Sequence, residues 1–171
     1  MAKILVLGIG NPIRYDDGVA IEIVRRLKEK TGSEDVDMKE TSEAGLNLLD
    51  LMAGYEKVII VDSIQTKGGN AGKIYRFTQK ELKSPRGFQL SHNTGMCSVL
   101  KLAKEMELPL CEDITFYAVE IEKADAFGEG LTMKVERAIP MAVELIEGEI
   151  NKTVCHVAER CHCEERSDEA I

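Results

Sequence analysis

Apolar runs rich in β-branched residues alternate along the chain with segments whose apolar residues recur at helical spacing. The clearest run, Val58 to Val61, is unbroken, as a strand buried on both faces of a sheet requires. Alternating strands and amphipathic helices are typical of a largely parallel sheet with helices packed on both faces. The pattern therefore predicts an α/β fold arranged as a three-layer sandwich.

The same periodicity places the individual elements. Strands are expected at 3–7, 36–40, 57–62, 73–77 and 114–119, with 73–77 at an edge of the sheet. Helices are expected directly after Gly18, at 46–52, at 94–106 and at 131–147. In the first helix, Ile21, Val24 and Leu27 share one face, which predicts that this face packs against the sheet.

The helical periodicity stops after Gly148, and this sets the end of the predicted domain. Residues 1–150 are expected to form one domain with a hydrophobic core. Residues 151–171 are charged, carry Cys155, Cys161 and Cys163 together with two histidines, and show no clear packing face. We expect a disordered tail. Metal binding by these cysteines and histidines is the alternative, although their spacing matches no common zinc module.

Net charge and cysteine content limit the possible binding partners and the cellular compartment of the protein. The formal charge of −8 disfavours nucleic acid and anionic lipid surfaces. No stretch approaches the ~20 apolar residues of a membrane span, and the first residues do not form a signal peptide. Five cysteines in a chain that is not secreted indicate reduced thiols. We therefore expect a cytoplasmic monomer that binds neither nucleic acid nor membranes.

Polar residues mark three loops that should meet at one edge of the sheet. The loop 8–18 follows the first strand and contains Asp17. Asp62 closes the strand that begins at Lys57, and His92 precedes a later helix. In an open parallel sheet, ligands bind beyond the carboxyl ends of the strands. We therefore expect Asp17, Asp62 and His92 to face one crevice.

Two carboxylates and one imidazole form a plausible site for a borderline divalent cation such as Zn²⁺ or Ni²⁺, with positions left for water or substrate. Each residue also has a purely structural interpretation. Asp16 or Asp17 would cap the following helix, Asp62 would cap a turn, and His92 would satisfy local hydrogen bonds. The shared edge favours the metal site.

A nucleotide cofactor and a serine nucleophile are both disfavoured. Gly8 and Gly10 lack the third small residue of a dinucleotide fingerprint, because Ile13 stands in its place. Ser91 adjoins His92 in sequence, so a facing geometry is not implied, and no Gly-x-Ser-x-Gly elbow is present. We therefore predict no nucleotide cofactor.

Taken in order, four motifs resemble those of the hydrogenase maturation endopeptidases. They are Gly8-Ile9-Gly10-Asn11, Asp16-Asp17-Gly18, Val61-Asp62-Ser63 and Ser91-His92-Asn93, and the resemblance covers roughly residues 3–147. It implies a twisted, mainly parallel five-stranded sheet between helices, and a peptidase that we expect to be classed as aspartyl-type. The chain departs from the family pattern in two ways, with the shorter acid at 17 and the added segment 151–171.

The resemblance also implies the substrate and the metal. It implies removal of the C-terminal extension from the nickel-loaded large-subunit precursor of a [NiFe] hydrogenase, with the substrate's own nickel as the recognition element. Asp17, Asp62 and His92 would then be both the metal ligands and the catalytic residues, with no roles divided among them. Two other functions stay open: a nickel-sensing docking protein that does not cut, and a small-molecule-binding α/β module.

Overall fold

The structure is a computed structural model that describes residues 3–82, 96–108, 110–122 and 127–165. Its elements are β1 Ile4–Ile9, α1 Val19–Lys30, β2 Val36–Thr41, α2 Asn47–Met52, β3 Lys57–Ile64, β4 Ile74–Thr78, α3 Gln79–Leu82, α4 Met96–Glu105, β5 Asp113–Glu120 and α5 Met133–Glu165. One turn of 3-10 helix, Tyr15–Gly18, precedes α1. The five strands and four helices expected from the sequence are present, whereas α3 and the 3-10 turn were not predicted.

The sheet has five strands in the order β2-β1-β3-β5-β4. β1, β2, β3 and β5 are parallel, and β4 runs antiparallel to β5 at the edge. Every residue of β1 and β3 is buried, which explains why these strands are almost continuously apolar. Because β1 and β3 are neighbours, the loop after β1 lies beside the end of β3.

Helices cover both faces of the sheet, so the predicted three-layer α/β architecture is confirmed. One core cluster joins α1 and α5 to the sheet, and it contains Ile23, Leu27, Ile139, Val143 and Ile146. The opposite cluster joins α2 and α4 to the sheet, and it contains Leu48, Met52, Val99, Leu100 and Ala103. Burial of each large aliphatic side chain contributes about 1.5–3 kcal/mol relative to exposure.

The last helix is longer than its sequence pattern suggested. We expected it to end at Glu147, but α5 continues to Glu165, into the segment for which we expected a disordered tail. Ile150 is buried and Val154 packs against the core cluster. These residues continue the four-residue spacing from Ile146, a signal that the surrounding charged residues obscured. No helix of the described chain is long and apolar enough to cross a membrane.

An ion-pair cluster joins four elements at the amino end of β3. The Nζ atom of Lys57 lies 3.0 Å from Asp113 Oδ2 and 2.9 Å from Glu149 Oε1. Arg76 on β4 also donates to Glu149, at 3.0 Å. The Lys57 side chain is 9% exposed, so its ammonium depends on these two carboxylates for compensation. The cluster therefore connects β3, β4, β5 and α5.

We expect Glu149→Gln to destabilise the fold in a pH-dependent way. Burial alone would raise the pKa of Glu149, but hydrogen bonds and charges from Lys57 and Arg76 outweigh it and hold this pKa below 4.5. A depressed carboxyl pKa stabilises the folded state above the unfolded pKa, and this contribution is lost as the pH falls through the folded pKa. The substitution should lower the free energy of unfolding by about 2 kcal/mol at neutral pH.

Urea denaturation along an acidic pH series measures this effect. The difference between parent and variant should vanish once the pH is below the folded pKa of Glu149. Glu144→Gln, at an exposed position of the same helix, is the matched control and should leave the unfolding midpoint unchanged. A difference between parent and Glu149→Gln that is constant at every pH would contradict the ion-pair explanation.

Candidate functional site

Three glycines bring the loop after β1 close to the sheet and to α1. A Cβ atom added to Gly10 would lie 2.2 Å from the carbonyl oxygen of Asp17, and one added to Gly18 would lie 2.9 Å from Pro12 Cα. A Cβ atom added to Gly8 would lie 2.8 Å from a side chain of α1. Real side chains do not approach so closely, so these positions require glycine. The glycine pattern is thus explained by close packing of the 3-10 turn that carries Asp17.

The loops after β1 and β5 are joined to each other. The Tyr15 N–H donates to the Gly128 carbonyl and the Gly128 N–H donates to the Ile13 carbonyl, both at 2.9 Å. Tyr15 has a φ of +47°, a conformation that non-glycine residues rarely adopt. A Cβ atom at Gly128 would overlap the Tyr15 ring. The two loops therefore form one wall beside the carboxyl ends of β1 and β5.

Ser63 connects the two predicted acidic residues. Its hydroxyl donates to Asp17 Oδ1 at 2.8 Å, and its N–H donates to Asp62 Oδ1 at 2.7 Å. Asp17 Oδ2 also accepts the N–H of Asn11, at 3.2 Å. Asp17 and Asp62 are each 1% exposed. Asp17 and Asp62 are thus both hydrogen-bonded to Ser63 at the carboxyl end of β3.

Asp16 makes different contacts from its neighbour. Its carboxylate accepts the N–H of Thr132 at 2.6 Å, the hydroxyl of Thr132 at 3.0 Å and the N–H of Glu122 at 3.2 Å. Gly18 is the N-cap of α1, and no side chain caps that end. The interpretation of either aspartate as a helix cap is therefore wrong. Asp16 holds the start of α5 and the end of β5, whereas Asp17 turns towards β3.

Asp62 lies inside β3 and not just beyond it. It pairs in register with Ala118 on β5, and the strand continues to Ile64. Because side chains alternate along a strand, Asp62 faces the same side as Ile60 and Ile64, towards α2 and α4. Ser63 faces the opposite side. The turn-capping interpretation of Asp62 is wrong, because its position is internal to a buried strand.

The third predicted residue, His92, lies outside the described residues. The helix that follows it, α4, packs with Val99 and Leu100 on the face of the sheet towards which Asp62 points. Within the described ranges, no group of three or more histidine, cysteine, aspartate or glutamate side chains is placed to hold a metal ion. Asp17 and Asp62 supply two carboxylates suited to a divalent cation.

Sequence reasoning missed Ser63, Asn11 and Glu120 as contributors to this edge. Ser63 is part of the Val61-Asp62-Ser63 motif, but no contact was predicted for it. As the neighbour of a buried strand residue, it necessarily faces the other side of the sheet. The hydrogen bond from the Asn11 N–H to Asp17 could not be predicted, because a backbone donor leaves no signal in the sequence. Glu120 is 1% exposed at the end of β5, and its polar position at the end of an apolar run was the available signal.

Exposed apolar side chains surround the same edge. Ile13 is 52% exposed, Leu46 55%, Phe127 78% and Met133 65%, and they lie on the loops after β1, β2 and β5 and at the start of α5. A cavity of about 410 Å³ opens nearby between Pro12, Tyr15, Ile21 and Leu131. Among the exposed apolar residues, Ile13 and Phe127 lie on loops that are hydrogen-bonded to each other, and adjoining exposed apolar residues are typical of surfaces that bind another polypeptide.

We expect the two adjacent aspartates to differ in their effect on stability. Asp16→Ala leaves three donors without their acceptor and should lower the free energy of unfolding by about 3 kcal/mol. Asp17→Asn keeps an acceptor oxygen and should cost no more than about 1 kcal/mol. Urea denaturation followed by circular dichroism measures both. Asp50→Ala, at an exposed position on α2, is the control, and equal losses for the two site variants would contradict the assignment.

Comparison with known proteins identifies relatives of similar length. Residues 21–149 match the sequence model of a family described as hydrogenase maturation protease. The chain is 30% identical over 147 residues to the hydrogenase 2 maturation protease of Escherichia coli, covering 84% of this chain and 88% of that protein. It is 34% identical over 137 residues to Protein FrxA of Pyrococcus furiosus, covering 77% and 93%.

Solved structures agree with these matches. The hydrogenase maturating endopeptidase HybD of Escherichia coli superposes with a TM-score of 0.74 at 26% identity, covering 90% of this chain and 94% of that one. The [NiFe] hydrogenase maturation protease HybD of Thermococcus kodakarensis superposes with a TM-score of 0.68 at 26% identity, covering 86% and 98%.

Proposed function

This chain belongs to the hydrogenase maturation protease family, whose members are endopeptidases, and we propose that it removes the C-terminal extension of a [NiFe] hydrogenase large-subunit precursor. The observation that carries this proposal is the convergence of Asp17 and Asp62 on Ser63. Two buried carboxylates at the ligand-binding edge of a parallel sheet are suited to a cation on a bound partner.

The metal in this proposal is the nickel that the precursor carries, so it is part of the substrate. Asp17 and Asp62 provide oxygen ligands, and His92 provides a nitrogen ligand, a set that suits a borderline cation. Asp17 accepts hydrogen bonds from Ser63 and Asn11, and an ionised carboxylate can hold a cation beside such donors because each oxygen has two acceptor positions. Three protein ligands leave the remaining positions to the precursor.

Burial strengthens this recognition. Asp17 and Asp62 are almost completely shielded from solvent, and electrostatic attraction is stronger in a low-dielectric environment than in water. The same argument disfavours a nickel-free precursor, which brings no cation to compensate the two carboxylates. Nickel recognition thereby precedes cutting.

The polypeptide that flanks the cleavage site would pack on the exposed apolar residues at this edge. Ile13 and Phe127 lie on loops joined by the hydrogen bonds of Gly128, so they belong to one surface. A few residues near the centre of an interface supply most of its binding free energy. This surface would hold the precursor while its metal engages Asp17 and Asp62.

We expect the protein to truncate nickel-loaded precursor and to leave nickel-free precursor intact. The reason is that a precursor without nickel offers no cation for Asp17 and Asp62 to bind. Mass spectrometry of both precursors after incubation measures the truncation. Equal truncation of the two would contradict nickel recognition, and tight binding of the loaded precursor without truncation would favour the docking function instead.

We expect Asp17→Asn, Asp62→Asn and His92→Ala each to reduce processing by more than about a hundredfold, because even partners outside the first ligand shell of a metal contribute ten- to hundredfold. Thermal melts should remain close to the parent, so lost processing would not reflect unfolding. Asp50→Asn, an exposed aspartate on α2, is the control and should process normally. If all three variants process the precursor at the parent rate, the assignment of these residues to the site is wrong.

We expect Phe127→Ser to raise KM for the precursor about tenfold, because burial of a Phe side chain contributes about 1.5–3 kcal/mol. Met141→Ser is the matched control, since Met141 is 61% exposed but lies on α5 away from the sheet edge. Initial rates over a range of precursor concentrations separate KM from kcat. Equal effects of the two substitutions would contradict precursor binding at Phe127.

A further inference from the structure

Glu120 is a buried carboxylate that the proposed recognition of nickel does not use. It ends β5 and is 1% exposed. Its carboxylate accepts the N–H of Thr66 at 2.6 Å, and the Thr66 hydroxyl lies 3.1 and 3.0 Å from its two oxygens. Within the described part of the chain, no lysine or arginine forms an ion pair with it. Glu120 is therefore stabilised by hydrogen-bond donors, and most of them belong to Thr66.

Thr66 lies on the loop between β3 and β4, and this loop encloses the carboxylate. A Cβ atom added to Gly69 would overlap the Glu120 carboxylate, so any larger residue there would displace this carboxylate. The backbone of Glu120 also receives the N–H of Gly72 and donates to the carbonyl of Lys73, both at 2.8 Å. One residue of β5 thus holds both ends of the loop 66–73.

The register of the sheet places this arrangement next to Asp62. Glu120 pairs with Ile64, and Asp62 pairs with Ala118, so Asp62 and Glu120 are diagonal neighbours on β3 and β5. Side chains alternate along a strand, so Asp62 and Ile64 face the same side, and Glu120 faces that side with its partner Ile64. Both carboxylates therefore face α2 and α4. Thr66 follows Asp62 by four residues. The hydrogen bonds of Glu120 therefore restrain the end of the strand that carries Asp62.

We propose that Glu120 is a positioning residue that fixes the Asp62 carboxylate by holding the β3–β4 loop against the sheet. This inference rests on the proposed function, in which Asp62 binds the metal of the precursor. Without Glu120, the partly buried N–H of Thr66 loses its acceptor, and the strand end can shift. A displacement of about 1 Å at a reacting group is sufficient to lower a rate about a hundredfold.

The test compares Glu120→Ala and Glu120→Gln with Glu149→Gln in the full chain. Glu149 is the matched control, because it is also a shielded glutamate but lies at the opposite edge of the sheet. At a temperature where all variants are folded, Glu120→Ala should lower kcat for nickel-loaded precursor by about tenfold to a hundredfold, with KM within about threefold. Glu120→Gln keeps an acceptor oxygen and should recover most of the lost rate. Glu149→Gln should process at the parent rate.

Hydrogen exchange at Ser63 gives a readout that needs no precursor. The Ser63 N–H donates to Asp62, so its exchange reports how firmly that carboxylate is held. Exchange at Ser63 should accelerate at least about tenfold in Glu120→Ala and stay at the parent rate in Glu149→Gln. Thr66→Val removes the hydroxyl donor at nearly constant volume, and it replaces Glu120→Ala if that variant does not fold.

The outcomes separate the two proposals. If the parent protein processes precursor and folded Glu120→Ala does so equally fast, the positioning role is wrong and the proposed function stands. If the parent processes no precursor, the proposed function fails, and unchanged exchange at Ser63 in Glu120→Ala would then also exclude the positioning role. Similar losses of kcat in Glu120→Ala and Glu149→Gln would show a general effect on stability and would contradict the proposal.

Discussion

Burial of two adjacent carboxylates at one sheet edge is the constraint on which the site depends. A buried charge is costly unless it is hydrogen-bonded, so Asp16 and Asp17 must each find donors. Asp16 obtains them from the start of α5 and the end of β5, and Asp17 obtains them from the β1 loop and from Ser63 on β3. One 3-10 turn thereby connects four parts of the chain. The position of Asp17 beside Asp62 follows from that requirement.

The two edges of the sheet use charge in different ways. At the amino end of β3, Lys57 and Arg76 compensate Glu149, and this depresses the pKa of Glu149 and stabilises the fold. At the carboxyl end, Glu120 accepts hydrogen bonds from the neutral donors of Thr66. A substitution at one edge leaves the hydrogen bonds of the other intact, so stability and chemistry can be measured separately.

Most of the fold was predictable because apolar runs and helical spacing record burial directly. The errors occurred where polar residues interrupt the apolar pattern: β3 continues past the buried Asp62, and α5 continues past Glu147 to include Val154 among charged residues. The edge that holds Asp17 and Asp62 was also predictable from the rule for parallel sheets. The partners of Asp16 were not, because Thr132 lies 116 residues away and local sequence carries no record of that contact.

Ser63 contacts both aspartates at the carboxyl end of β3. Its hydroxyl donates to Asp17, an arrangement that outwardly resembles a nucleophile and its base. In a serine peptidase the hydroxyl is activated by an imidazole that a carboxylate orients, whereas here the carboxylate contacts the hydroxyl directly. The N–H of the same residue donates to Asp62, so Ser63 is hydrogen-bonded to both carboxylates. A cation carried by the precursor matches that pair, so in the proposed function binding of the metal and placement of the adjoining peptide become one event.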